Sequence, residues 1–241
     1  MVKEVGWIRE IYRYPVKSMA GEKLDTAELG WHGLEGDRRA AFVRSGVRSG
    51  VPWLTASKLP ALLTYVPLRD PAAAPNALPA RVRTPTGQEL ELGGQTLCAE
   101  LEAAYGAPVA LMEWNHGIFD DAAISLITTA TIAAIADAAG LSLDVRRFRP
   151  NFLVESNGSG PFGDDAWLGR TIRIGAGEDA AAVAITMRDL RCVMINLDPW
   201  TAAAEPRILK AATRLNGTCA GVYATVVKAG PIAVGDRLYL Q

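Results

Sequence analysis

Val183-Ala184-Ile185-Thr186-Met187-Arg188-Asp189-Leu190-Arg191-Cys192-Val193-Met194-Ile195-Asn196-Leu197-Asp198-Pro199 changes character half-way along its length. Val183, Ile185 and Met187 alternate with small or polar residues, the period of a half-buried strand. Past Met187 the alternation stops, and one cysteine follows beside two arginines. Cations near a thiol favour its ionised form, and a thiolate at a strand end is a soft metal ligand or a sulfur carrier. The competing reading makes Cys192 a small buried hydrophobe, since free cysteines are among the most buried residues. The rest of the chain is read here as a cage around that sulfur.

Working outward, short strand-like runs dominate. They include Trp7 to Tyr14, stopped by Pro15, then Leu24 to Leu29, Ala40 to Val43, Leu62 to Leu68 and Val109 to Met112. Arg81 to Thr84 and Glu89 to Leu92, joined through Pro85-Thr86-Gly87, read as a hairpin. Ile124 to Ile127, Phe152 to Glu155, Thr171 to Ile174, Ala182 to Met187, Tyr223 to Lys228 and Leu238 to Leu240 continue the series. Helices are expected from a Thr96 cap to Tyr105, over Ala130 to Ala139 behind Thr128 or Thr129, and over Glu205 to Arg214. Leu143 to Arg147 reads as a short helical turn. Many short strands with frequent turn signals predict barrels rather than a wound parallel sheet. The expected fold is mainly β with a few helices (α+β), divided near residue 115.

The chain has 241 residues, 49% of them hydrophobic and 21% charged, with a net charge of −1. That balance gives no bulk attraction to nucleic acid or an anionic membrane. No apolar run is long enough to span a bilayer, and the first residues lack the apolar core of a signal peptide. Three cysteines far apart make no disulfide framework and point to a reducing cytoplasm. Two histidines, His32 and His116, exclude a multi-histidine zinc site, and both read as turn residues.

Three further segments carry polar groups that a barrel does not need. Tyr14-Pro15-Val16-Lys17-Ser18 offers an ammonium and a hydroxyl just after a strand. Gly36-Asp37-Arg38-Arg39 leads tandem arginines into an apolar run, which requires an anion or a carboxylate; Asp37 is the local choice. Arg146-Arg147-Phe148-Arg149-Pro150-Asn151-Phe152 forms a dense cationic patch, with an amide able to read a ring edge.

Taken in order, these segments together with Pro161-Phe162-Gly163-Asp164-Asp165-Ala166-Trp167, Arg191-Cys192 with Asp198-Pro199, Gly221-Val222-Tyr223 and Gly230-Pro231-Ile232-Ala233-Val234-Gly235-Asp236 resemble the MOSC superfamily. The likeness includes the N-terminal β-barrel domain found in the mitochondrial amidoxime-reducing component and its bacterial relatives. It covers essentially the whole chain. It implies an N-terminal MOSC-type β-barrel domain over residues 1–115 and a MOSC β-barrel domain over 116–241. It also implies a molybdenum cofactor, a molybdopterin whose metal takes its protein thiolate from Cys192. By the same resemblance Lys17, Ser18, Arg38, Arg149, Asn151, Arg191 and Tyr223 hold the cofactor. Asp121, or a water it binds, is the expected proton carrier on its chemistry alone. Asp121-Ala122 and Leu190 depart from the hydroxyl-bearing residues of the eukaryotic relatives.

The implied activity is reduction of N-hydroxylated compounds, N–O to N–H. Many bacterial relatives carry a ferredoxin-like extension with clustered cysteines, and no such cluster occurs here. Electrons are therefore expected from a separate protein donor, ferredoxin-like or of cytochrome b5 type with its reductase. The alternative from a different functional class is a carrier that delivers the cofactor or sulfur, with Cys192 holding a persulfide.

Overall fold

A computed structural model describes residues 3–47, 50–70, 72–74, 77–177 and 179–241. Its centre is a closed seven-stranded β-barrel. Around the barrel the strands run Phe152–Ser156, Ile124–Thr128, Cys219–Lys228, Ala181–Leu190, Thr171–Ile174, Arg237–Leu240 and Lys3–Arg13, which pairs back with Phe152–Ser156. All neighbours are antiparallel except Ile124–Thr128 and Phe152–Ser156. A parallel pair needs a crossover, supplied here by the helix Thr129–Ala139 and the segment after it. Thr128 caps that helix, accepting from the Thr131 amide, and Gly140 ends it in the left-handed conformation.

The barrel closes through its most distant partners. Lys3–Arg13, at the start of the chain, bonds with Arg237–Leu240 at its end and with Phe152–Ser156. Gly6 lies at the closure with φ +153°, and a Cβ there would run into the Glu155 carbonyl. Ile8, Ile11, Leu126, Phe152, Val154, Ile172, Val183, Val222 and Leu238 fill the interior, all essentially fully buried. Each is worth roughly 1.5–3 kcal/mol. Exterior ion pairs such as Arg9–Glu155, whose arginine is 57% exposed, contribute at most about 1 kcal/mol each. Apolar burial therefore holds the barrel.

A second apolar cluster lies beside it. It is built from Ala40–Arg44 paired with Val109–Glu113, a three-stranded sheet of Val66–Leu68, Arg81–Arg83 and Glu89–Glu91, and the helix Gln95–Tyr105. Residues ahead of position 115 do not stay on one side: Lys3–Arg13 is a barrel strand, and Thr26–Gly30 pairs with Gly230–Ala233. Local differences from the sequence expectations are small. Leu62 to Leu68 splits into a 3-10 turn, Pro60–Thr64, and a short strand, because Pro60 opens a turn. The first helix is capped by Gly94, which leaves Thr96 inside it. The strand before Cys192 runs on to Leu190, and the last helix is Arg207–Asn216. No helix among the described residues is long and apolar enough to cross a membrane.

Asp164 shows how the barrel meets its helices. Its carboxyl is fully buried, with Oδ1 accepting from Thr131 Oγ1 at 3.2 Å and Oδ2 without a partner. Burial pushes its pKa up to about 6. A folded-state value above the unfolded one means that the protonated carboxyl stabilises the fold at acid pH. That contribution is lost as pH rises from about 4 to about 6. Asp164→Asn, which cannot ionise, is expected to be more stable than wild type at pH 7 by on the order of 2 kcal/mol. Urea denaturation between pH 4.5 and 7.5 should show the wild-type decline flattened in the variant.

Candidate functional site

The loop after the first strand, the turn at 36–39 and the segment before Phe152 converge on Tyr14. Its ring is fully buried, with the Arg149 guanidinium 4.2 Å and the Arg38 guanidinium 4.9 Å from its centroid. Asp37, also fully buried, anchors the group. Its Oδ1 accepts from the Tyr14 amide at 2.6 Å, and its Oδ2 accepts from Arg38 and from Asn151 Nδ2, the latter at 3.1 Å. Arg38 Nη2 donates onward to the Arg149 carbonyl at 3.0 Å. Lys17 Nζ, buried, donates to the Ile118 carbonyl at 3.0 Å and to Asp120 at 2.7 Å. Burial lowers the Lys17 pKa, opposed by Asp120. Burial lowers Arg38, but Asp37, with Tyr14 and Asp120, raises it overall.

Arg149 differs from the others. Nη1 donates to the Met19 carbonyl at 2.8 Å, while Nη2 is buried without a partner, and no ion pair reaches it among the described residues. Burial, with Arg38 adding repulsion, pushes its pKa down to about 10. The Tyr14 hydroxyl is likewise buried and unpartnered. Six non-glycine residues of the described chain have positive φ, and three of them are Ser18 (66°), Arg38 (49°) and Arg149 (49°). Such strain persists where the surroundings over-determine it, and it gathers at functional sites.

A second network joins this group to the cysteine. Asp189, 1% exposed, lies 2.8 Å from Arg191 Nη2 and accepts from Ser125 Oγ at 2.9 Å. Burial raises its pKa, against the pull of Arg191, Ser125 and Tyr223. The Tyr223 phenol is raised by its own burial and by Asp189. Arg191 also donates to the Ala220 carbonyl at 2.6 Å and to the Phe148 carbonyl, next to Arg149, at 2.7 Å. Ser125 returns the chain of bonds to the first group, since its amide donates to Asn151 Oδ1 at 3.1 Å. Gly221, φ +88°, lets the barrel approach here; a Cβ would stand 3.0 Å from Arg191 Nη2 and press on the Leu126 carbonyl.

Cys192 follows the strand, is exposed, and opens the 3-10 turn Val193–Asn196. Asn196 pins that turn by accepting from the Leu209 amide at 2.9 Å, at the start of the helix Arg207–Asn216. Arg147 holds it through the Asn196 carbonyl and Asp198. Met194 and Leu197 belong to the same apolar cluster as Val16 and Met19, which bracket Lys17 and Ser18. The thiol-bearing turn is therefore rooted in the same apolar core as the loop that carries the lysine.

The structure brings Lys17, Arg38, Arg149, Asn151, Arg191 and Tyr223 into one connected network, with Ser18 buried beside Lys17. It also separates what the sequence joined. The cationic patch at 146–149 is no patch: Arg146 pairs with Asp144 and stacks on Trp200, and Arg147 pairs with Asp198. Both arginines near Cys192 are committed elsewhere, Arg188 to Asp165 and Arg191 inward. The amide of Asn151 is spent on protein partners, so it positions Asp37 and Ser125. Asp120, next to Asp121, pairs with Lys17, and Asp121 is exposed. Asp120, Asp189 and Ser125 went unnoticed in the sequence; a carboxylate one position from Asp121 was the available signal for the first. His32 and His116 are exposed turn residues, with their rings in edge contact at 4.0 Å. Two surface clefts, of about 580 and 630 Å³, lie elsewhere and contain none of these residues.

Four cations (Lys17, Arg38, Arg149, Arg191) face three carboxylates (Asp37, Asp120, Asp189), leaving one positive charge over. With the Tyr14 hydroxyl and Arg149 Nη2 orphaned, and Arg191 Nη2 held to Asp189 by charge without a hydrogen bond, that is the equipment for holding an anion. A model of the MOSC domain family matches residues 113–239. The chain belongs to the MOSC domain family.

MOSC domains are associated with molybdenum-cofactor binding and sulfurase-like chemistry. Among solved structures, the YuaD protein from Bacillus subtilis is similar over 100% of this chain and 98% of its own, at 15% identity and a TM-score of 0.54. YiiM from Geobacillus stearothermophilus is 22% identical over 49% of this chain and 54% of its own, with a TM-score of 0.38. The YuaD likeness concerns the fold alone. A search of curated proteins returned no match.

The anchor of this MOSC site is open to direct test. Asp37→Ala leaves Arg38 beside Arg149 with no counter-charge and takes the partner from the Tyr14 amide and from Asn151. A loss of about 3–5 kcal/mol in unfolding free energy is expected from denaturant titration.

Proposed function

We propose that this MOSC protein is a molybdenum-cofactor-dependent oxidoreductase that reduces N-hydroxylated compounds to the parent amines, with electrons from a separate ferredoxin- or cytochrome b5-type donor system. The observation that carries the reading is Arg149: a buried cation with an unpartnered nitrogen, beside an unpartnered Tyr14 hydroxyl, in the network that runs to the cysteine turn. The donor set fits a cofactor with an anionic tail and a sulfur-loving metal. Arg149, Tyr14, Lys17 and Arg38 would hold the anionic end, and Cys192 would give its thiolate to the metal. When bound, the cofactor supplies the two-electron redox change that N–O cleavage needs.

The chain's own residues do the rest. Reduction of a hydroxylamine to an amine and water consumes two electrons and two protons. Asp121, exposed at the loop that places Asp120 against Lys17, is assigned proton delivery, directly or through water. Asp37 and Asp189 position the cations. Asn151 links the two carboxylates, tying the strand that leads to the thiol to the segment that bears Arg149.

A second reading is favoured by one observation, the exposure of Cys192. A surface thiol is open to a partner protein and suits a persulfide or cofactor carrier. Protein made in a host that synthesises the cofactor separates the two. Turnover of an amidoxime with reduced methyl viologen supports the reductase. Inactive, molybdenum-free protein with a persulfide on Cys192 supports the carrier.

A further inference from the structure

The sequence sets two guanidinium groups beside Cys192, and the fold draws both away. Arg188 Nε lies 3.1 Å from Asp165 Oδ2, and its Nη2 donates to the Asn216 carbonyl at 3.0 Å. Arg191 turns inward to Asp189, Ala220 and Phe148. The residues that flank the thiol at the surface are aliphatic. Asp189 and Arg191 are buried, whereas Leu190 is 64% exposed and Cys192 is exposed. Cys192 keeps an extended backbone (φ −105°, ψ −174°), so this alternation sends Leu190 and Cys192 out on one face. Val193, on the other side of the thiol, is 51% exposed. Two aliphatic side chains flanking an accessible thiol, with Arg188 and Arg191 each paired to a carboxylate, make an apolar approach.

We infer that Leu190 and Val193 form an apolar lip at Cys192 that selects uncharged substrates with an aliphatic or aromatic body and disfavours charged ones. The inference rests on the N-reduction reading for the reacting group and adds the substrate class. In an enclosed pocket one methylene discriminates by about tenfold or more, and a half-exposed lip is expected to give less, about five- to tenfold.

The lip is tested without turnover. N-phenylmaleimide and its anionic 4-carboxyphenyl analogue are reacted with the full chain. The Cys192 adduct is followed by peptide mass spectrometry, and each rate is divided by that for free N-acetylcysteine. The uncharged reagent should be favoured by about five- to tenfold, and Leu190→Asn and Val193→Asn, both at exposed positions, should each cut that preference at least about twofold. Equal rates, a preference for the anionic reagent, or a preference untouched by both variants overturns the lip. In the molybdenum-loaded protein, kcat/KM for an uncharged aromatic amidoxime should exceed that for a cationic N-hydroxyguanidine by a similar factor. A labelling preference without N-reduction of any substrate would sink the reductase reading and leave the lip; N-reduction indifferent to charge would do the reverse.

Discussion

Cys192→Ala is expected to abolish reduction of an amidoxime by reduced methyl viologen, with kcat/KM down by at least about 10³-fold. The thiolate is the soft ligand available at this site, and an alanine methyl offers nothing in its place. The substitution should leave the fold alone. Cys192 is exposed, so its unfolding free energy should stay within about 0.5 kcal/mol of wild type. The other cysteines provide the contrast. Cys98 packs against the second apolar cluster from a helix, and Cys219 is buried in a barrel strand opposite Leu190. Cys98→Ala and Cys219→Ala should retain most of the turnover and lose stability instead. Activity retained in Cys192→Ala would remove this residue from the chemistry, and a collapse confined to Cys219→Ala would move the thiol to the neighbouring strand.

The second large effect is a change of opposite sign in two measurements on one variant. Arg149→Met removes the cation that has no counter-charge. In the apoprotein the wild-type arginine stays charged below about pH 10, at a cost that burial sets. Methionine fills similar space without that cost, so the apoprotein should gain on the order of 1–2 kcal/mol by urea denaturation. The strained φ of +49° remains in the variant, which keeps the gain modest. Molybdenum retained through purification should fall by at least about tenfold, because the orphaned nitrogen is the donor left for an anion. A destabilised apoprotein that binds molybdenum normally would make Arg149 a structural strut.

Much of this was legible from local pattern. Alternation in Val183 and Ile185, and in the other short runs, was enough to predict a barrel, because a strand with one buried face writes its period into the sequence; Met187 breaks the pattern, 42% exposed past a shift in the ladder. Thr128 and Gly140 were readable as helix ends for the same local reason. Partner choice was not readable. Nothing between Lys3 and Arg13 says that its neighbours are residues 152–156 and 237–240, since strand pairing depends on the whole core rather than on the strand. Charge was misleading in the same way. Arg146, Arg147 and Arg149 are neighbours in sequence, yet a 3-10 turn sends two of them to Asp144 and Asp198 and one to Tyr14. Arg188 and Arg191 read as neighbours of the thiol in sequence, and the fold pairs them with Asp165 and Asp189 instead. Residue types at the site could be named in advance, but which cation lacks a counter-charge is a property of three dimensions.

The central claim is that the charge left over around Arg149 and the sulfur of Cys192 together hold a molybdenum cofactor. Metal analysis of the wild-type chain, purified from a host that makes the cofactor, tests it most directly. About one molybdenum per chain, lost in both Cys192→Ala and Arg149→Met, is the predicted result. Folded wild-type protein that carries no molybdenum would contradict it.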